Sequence, residues 1–231
     1  MYDIRLREYL PRIREAIENA ARRAGRGEGE VTLVAVTKSH PLPALEAALS
    51  AGLTDLGENR VEEMEEKVRL LGRDVATWHM VGHVQSRKAR QVVDVADLVH
   101  SVDTVKLGHR LSSHSVDRGR VTSALVQVNA SGEDVKSGFE PGEAVEAIHE
   151  LLELPGLKIR GLMTMAPFLE DEKILRSAFR GLRRVQEEAG KIPGYQGLEL
   201  SMGMTNDFEL AVEEGSTMVR IGTALFGERP R

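Results

Sequence analysis

Eight short β-like runs recur along this chain, each followed by a helical pattern, and that alternation leaves few ways to fold. The runs are 31–36 (VTLVAV), 53–57 (LTDLG), 77–82 (TWHMVG), 98–102 (LVHSV), 123–129 (SALVQVN), 159–165 (IRGLMTM), 198–202 (LELSM) and 217–222 (TMVRIG). Several are continuous apolar runs rather than clean alternations, the pattern of parallel strands covered by helices. Between them, 60–71 places Val61, Met64, Val68 and Leu71 on one helical face, with Glu62, Glu63, Glu65 and Glu66 opposite. In 141–152, Pro141 suits a first turn, and Val145, Ile148 and Leu152 share a face. In 170–190 the face is Ile174, Ala178, Leu182 and Val185. The leading segment is amphipathic through Leu6, Leu10, Ile13 and Ile17, and Pro11 predicts a kink or a late start. Residues 25–30 (GRGEGE) read as its linker to the first strand.

Strict alternation argues for a parallel sheet, and right-handed crossovers limit its topology. Eight units in 231 residues predict a single α/β domain over 1–231, a (β/α)8 TIM barrel with an extra helix in front. A doubly wound open sheet is the alternative. The first strand-to-helix turn, TKSHPLP, lacks the glycines of a dinucleotide-binding fingerprint.

Composition removes several function classes. Basic residues number 31 against 36 acidic ones, a net charge of −5, which argues against a broad nucleic-acid footprint. There is no cysteine, hence no disulfide and no thiolate metal site. His79 and His83 are four apart, but on a strand and its exit rather than on a helix, so no metal site is expected. The first 23 residues are charged throughout, unlike a signal peptide. No apolar run approaches the roughly 20 residues that span a bilayer. The expectation is a soluble, cytoplasmic protein with no membrane segment.

In a barrel, function sits at the carboxyl ends of the strands. Polar and glycine-rich residues gather there: Lys38 after the first run, Glu58, Asn59 and Arg60 after the second, His83 after the third. Asn129 ends the fifth, and MTMAP, LSMGMTND and RIGTALFGER end the sixth to eighth. The loops after strands seven and eight of barrels often bind phosphate. Here they offer Ser201, Gly203, Thr205 and Asn206, then Gly222 and Thr223. Glycine lets backbone N–H groups approach an anion, and hydroxyls add donors. Either loop alone is more simply a helix cap or a turn; two adjacent ones at the expected strands favour phosphate.

Lys38 is harder to read. An ordinary lysine has a pKa of about 10.4 and is a poor nucleophile. Desolvation lowers that value, and a lysine in a barrel mouth can then form a Schiff base with a carbonyl. Alone, a strand-end lysine reaching water is the better reading. Facing a phosphate cradle, it describes a site for an aldehyde that carries a phosphate, such as pyridoxal 5'-phosphate (PLP). Arg220 lies two residues before Gly222, on the same side of its strand. A buried arginine needs a partner, either a carboxylate or a pyridine nitrogen that it would keep unprotonated. Met163, Met165, Met202 and Met204 read as packing at the mouth, one of them available to lie against a flat ring. QSRKAR, 85–90, is a solvated basic face, with a phosphate-rich partner as the lesser alternative.

Six stretches carry a resemblance: LVAVTKSHP (33–41), GENRVEE (57–63), WHMVGHVQSRK (78–88), VNASGEDVKSGF (128–139), GLMTMAP (161–167) and LSMGMTNDFELAVEEGSTMVRIGTALFGER (200–229). Together they resemble the pyridoxal phosphate homeostasis proteins over nearly the whole chain. Departures are conservative: Val84 where leucine is usual, Arg87 where asparagine is common, Thr205 where serine is usual. The resemblance implies a fold like the N-terminal barrel of alanine racemase without its C-terminal β-domain. It implies that Lys38 carries PLP as an internal aldimine, with the phosphate at Ser201, Gly222 and Thr223, the pyridine nitrogen at Arg220 and Asn59 near the cofactor. The expected cofactor-binding set is Lys38, Asn59, Met163, Ser201, Gly203, Arg220, Gly222 and Thr223. It further implies a monomer that controls free PLP, the active form of vitamin B6, with apo-PLP enzymes as recipients.

A racemase needs acid/base groups on both faces of the substrate carbon. In alanine racemases the second is a tyrosine from the partner's C-terminal domain. Here only Tyr2, Tyr9 and Tyr195 exist, none at a predicted carboxyl strand end. The first expectation is therefore a PLP-binding and PLP-handling protein with no catalytic residue. A PLP-dependent amino-acid racemase using His83 or water is the second, and a sugar-phosphate enzyme with a Schiff-base lysine the third.

Overall fold

All eight strands form, and they close on themselves. In the computed structural model, which describes residues 2–131 and 137–228, the strands are β1 (Thr32–Val36), β2 (Asp55–Glu58), β3 (Thr77–Met80), β4 (Leu98–Val102), β5 (Thr122–Gln127), β6 (Leu157–Met163), β7 (Glu199–Ser201) and β8 (Met218–Ile221). They follow one another around a parallel ring in sequence order. β8 pairs back onto β1, Val34 opposite Arg220, which excludes the open-sheet alternative. Closure removes any exposed edge. Several strands stop a residue or more before the apolar run does, because residues such as Val81, Gly82 and Gly222 leave the ladder to build the mouth.

The helices are α1 (Tyr2–Arg23), α2 (Leu42–Ser50), α3 (Val61–Leu71), α4 (Ala89–Val95), α5 (Val105–Asp117), α6 (Pro141–Leu152), α7 (Glu172–Ala189), α8 (Phe208–Glu213) and α9 (Thr223–Phe226). Two expectations about them are corrected. α1 starts at Tyr2, so there is no late start, and it stays helical through Pro11. The proline costs a helix interior about 3 kcal/mol. Leu6 and Leu10 before it, and Ile13 and Ile17 after it, are all buried. Each contributes about 1.5–3 kcal/mol on full burial, so packing outweighs the proline. In α7, Ile174 is 44% exposed, and the buried face is Leu175, Ala178, Phe179, Leu182 and Val185. Asp171 explains the rotation: its carboxylate accepts the N–H groups of Lys173 and Ile174, so the helix begins at Glu172 and leaves Ile174 in the solvent-facing first turn.

Most of the core lies between strands and helices, around Trp78, Phe179 and Leu56. A second, smaller cluster joins Leu98, Leu125, Met163 and Met218. These belong to β4, β5, β6 and β8, and β4 and β8 stand opposite one another in a ring of eight. They meet only inside the barrel. Met163 therefore packs in the interior, among apolar side chains. Two residues further along β4, β5 and β8 come His100, Gln127 and Arg220, so period two turns the interior polar towards the mouth. No helix among the described residues is long and apolar enough to cross a membrane.

Candidate functional site

The mouth encloses a cavity of about 640 Å³ at the carboxyl ends of the strands. That volume suits a small molecule. Lys38 enters from the turn after β1, Asn59 from the end of β2, and Gly82 and His83 from the loop after β3. Gln127 ends β5; Arg220 and Thr223 come from β8 and the start of α9.

The turn that carries Lys38 is pinned from below. Thr37 donates its N–H to Gly57 O at 2.9 Å, and His40 N–H returns to Thr37 O at 3.0 Å. The Thr37 hydroxyl donates to Glu58 Oε1 at 2.5 Å. Lys67, from α3, donates its ammonium to Glu58 Oε1 at 2.7 Å and to Thr37 O at 2.9 Å. Ser39 takes a left-handed backbone, φ 60°, and gives its N–H to Glu63 Oε2 at 2.9 Å. That conformation costs a residue with a Cβ about 1–2 kcal/mol. The neighbouring bonds hold it in place. Burial pushes the Glu58 carboxyl above its ordinary value, against the pull of Lys67 and the Thr37 hydroxyl.

Arg220 is the buried cation of the mouth. Its Nη1 donates to Ser201 Oγ at 2.5 Å and its Nη2 to Thr164 O at 2.9 Å. Burial pushes its pKa down to about 10, partly offset by Asp207. It remains charged at neutral pH.

Three expected binding residues lie off the cavity wall. Met163 is in the interior cluster. Ser201 is fully buried, its hydroxyl engaged by His100 and Arg220. Gly203 turns its back on the cavity: with φ 95°, a Cβ there would come within 2.6 Å of Ala211 Cβ on α8. Its carbonyl accepts the Arg220 N–H at 3.0 Å. The segment after β7 instead presents Thr205, Asn206 and Asp207 to the cavity. Asp207 Oδ1 accepts the Met204 N–H at 2.5 Å. Met165, rather than Met163, lines the wall. Residues 132–136 and 229 of the matching stretches lie outside the described residues.

Lys67, His100, Gln127 and Asp207 went unread in the sequence. Lys67 follows Met64 by three, so it falls on the buried stripe of α3, and a charge there was a legible signal. His100 interrupts the apolar run LVHSV with the parity of an inward position. Nothing local marked Gln127 or Asp207.

Gly82 shapes the wall: a Cβ on it would overlap the backbone of Asn59. Gly82→Ala must push Asn59 away, at an expected cost of about 1–3 kcal/mol in urea unfolding. A variant as stable as the parent would show that this contact is slack. Gly222 acts similarly, since a Cβ there would sit 3.0 Å from Val36 O. Its absence lets α9 approach β1, beside the Lys38 turn.

An amine, a guanidinium and hydroxyl donors on one concave wall fit an aldehyde with an aromatic nitrogen and a phosphate. Fold and site together define a small-molecule-binding (β/α)8 barrel. The family model described as alanine racemase, N-terminal domain, matches residues 9–230. The alanine racemase of Clostridium difficile shares the fold, with a TM-score of 0.76 at 16% identity over 95% of this chain and 57% of that one. The pyridoxal phosphate homeostasis protein of Aquifex aeolicus is 39% identical over 222 residues, 96% of this chain and 97% of its own. That of Escherichia coli K12 is 39% identical over 225 residues, 95% of each. PipY of Synechococcus elongatus, solved with PLP bound, superposes with a TM-score of 0.80 at 35% identity, over 92% of this chain and all of that one. The chain belongs to the pyridoxal phosphate homeostasis protein family.

Proposed function

We propose that this protein binds PLP in the mouth cavity, holds its aldehyde carbon covalently on Lys38 and passes the cofactor on, as an intracellular PLP-handling protein rather than an enzyme. The carrying observation is that Lys38 and Arg220 line one cavity from adjacent strands. The PLP seen in PipY supports the reading. Attachment joins the lysine nitrogen to the aldehyde carbon as C=N and releases water, and hydrolysis reverses it. Arg220 stays protonated and donates to the ring nitrogen, keeping that nitrogen proton-free. Thr223, Thr205 and Asn206 supply donors to the phosphate. Asn59 borders the ring. Bound PLP supplies an electron sink, which an unprotonated ring nitrogen weakens.

No tyrosine lines the cavity among the described residues. Tyr195 donates to Gln186 Oε1 at 2.7 Å on the outer layer. The protein works as a cytoplasmic monomer, with apo-PLP enzymes as recipients. Borohydride reduction followed by peptide mass spectrometry tests the attachment, and incubation with an apo-PLP enzyme tests delivery. Label on Lys38 and regained enzyme activity faster than with free PLP are expected. Label confined to other lysines would sink the reading.

One observation favours an amino-acid racemase as the second reading. His83 lines the cavity and its Nδ1 lies 2.8 Å from Asp103 Oδ2, a pair suited to moving a proton. Exchange of the α-hydrogen of amino acids in D2O, followed by NMR, separates the two. A carrier shows no exchange above that of free PLP, and a His83-dependent rate would establish the enzyme.

A further inference from the structure

A line of polar side chains joins Arg220 to the opposite end of the barrel. Ser201 Oγ lies 2.9 Å from His100 Nδ1. His100 Nε2 lies 2.9 Å from His79 Nδ1. His79 Nε2 lies 3.0 Å from Asp55 Oδ1. With the 2.5 Å bond from Arg220 Nη1 to Ser201 Oγ, four consecutive hydrogen bonds link β8, β7, β4, β3 and β2. His79, His100 and Ser201 are buried, and His100 and Ser201 meet across the ring. Asp55 is the first residue of β2, so it stands at the amino end, where it lines a second cavity with Arg14 and Glu18.

The two ends give the line its direction. A guanidinium only donates, and a carboxylate only accepts. If His79 is neutral like His100, every bond between the two ends has one allowed sense; a protonated His79 would instead donate from Nδ1 to His100 Nε2. In the neutral line Arg220 donates to Ser201, and the Ser201 hydroxyl donates to His100 Nδ1. His100 donates through Nε2 to His79 Nδ1, and His79 donates through Nε2 to Asp55. Burial, with His79 and Arg220 nearby, holds His100 well below its ordinary pKa and so keeps it neutral. Hydrogen bonds in such a chain polarise one another.

We propose that Asp55, His79, His100 and Ser201 are positioning residues that act in series on Arg220, fixing how its guanidinium faces the mouth and thereby tuning affinity for an aromatic ring nitrogen held there. The last step rests on the PLP reading above; the line itself does not. Arg220 has two anchors, Ser201 Oγ and Thr164 O, and these fix its plane. Loss of the Ser201 hydroxyl leaves one.

Nitrogen-15 NMR of the histidines in ligand-free protein reads the line directly. Both His79 and His100 are expected in the Nε2–H tautomer at neutral pH. Asp55→Asn, an isosteric change at a partly exposed position, replaces the obligate acceptor with a group that can also donate. It is expected to shift or broaden the His100 signals two bonds away. PLP titrations then read the far end. Ser201→Ala should raise Kd about tenfold, Ser201→Thr should restore most of it, and Asp55→Asn should raise it about threefold. Circular dichroism checks that each variant is folded. An Nδ1–H tautomer at His100 in the parent, or His100 signals unmoved by Asp55→Asn, would overturn the proposal. Failure of the parent to bind PLP, with the tautomers as expected, supports the line and overturns the PLP reading instead.

Discussion

Protein carrying Lys38→Ala is expected to lose the absorbance of lysine-bound PLP completely, and borohydride will then fix no cofactor in the turn after β1. The reason is that the alanine removes the only amine that lines the cavity among the described residues, while the other contacts remain. Arg220 and Thr223 stay in place on β8 and α9, so a weaker, reversible association should persist. We expect Kd for PLP to rise by at least about 100-fold, which corresponds to roughly 2.7 kcal/mol. Lys38→Arg should fail equally, because it restores the charge but not the nucleophile. The neighbouring Lys67 is no substitute: its ammonium is spent on Glu58 and the Thr37 carbonyl beneath the turn. An undiminished absorbance band in Lys38→Ala, measured in the same titration, would place the attachment elsewhere.

The second large effect concerns stability. Lys67→Met should destabilise the fold by about 3–5 kcal/mol at pH 7.5, because it leaves the Glu58 carboxylate buried without its partner. Lys67 is 8% exposed and Glu58 fully buried. Among the described residues Glu58 Oε2 has no hydrogen-bond partner, so the compensation comes through the Oε1 contacts. The pair also holds the Thr37 carbonyl, and through it the Lys38 turn. The sign of the pH dependence follows from Glu58. Its carboxyl is already raised by burial, and loss of Lys67 raises it further. A raised carboxyl takes up a proton in the folded chain before the unfolded one does. The deficit of Lys67→Met should therefore shrink as pH falls from the raised value towards about 4.3, the unfolded value. Urea unfolding at pH 7.5 and pH 5 measures both. Glu58→Gln combined with Lys67→Met should recover much of the loss, since no buried charge is then left alone. A deficit that grows on acidification would show that Glu58 is not the cause.

The architecture was legible because it is written in local periods. Eight apolar runs, each of strand length, alternate with helical stripes, and only closed or open parallel sheets accommodate that order. The segment read as 141–152 matched α6 to the residue, although its buried face is Ala144, Ala147, Ile148 and Leu151, with Val145 and Leu152 half-buried. Where local signals met packing, packing prevailed, as at Pro11 inside α1 and at Ile174 outside the buried face of α7. That Lys38 and Arg220 sit at the mouth was legible for a different reason. Each is a charge set in or beside an apolar run, at the end of the barrel where such residues gather.

Ser201, Gly203 and Met163 show where that reasoning stops. Period two tells which side of a strand a residue faces, but not how deep it lies in the barrel or what faces it. Ser201 points inward, yet the stagger of the ring sets it beneath the cavity, against His100 from across the barrel. Gly203 packs its Cα side against α8, because the chain turns there.

The sequence by itself therefore determined the class of fold and pointed to the end of the barrel where Lys38 and Arg220 line one cavity. Those follow from composition and spacing within a few neighbouring residues. Only the tertiary structure decided which polar groups reach the cavity and which face one another. Closure brings residues 19, 56 and 101 positions apart into hydrogen-bonding distance of Ser201 and Arg220, and no local pattern records such a meeting.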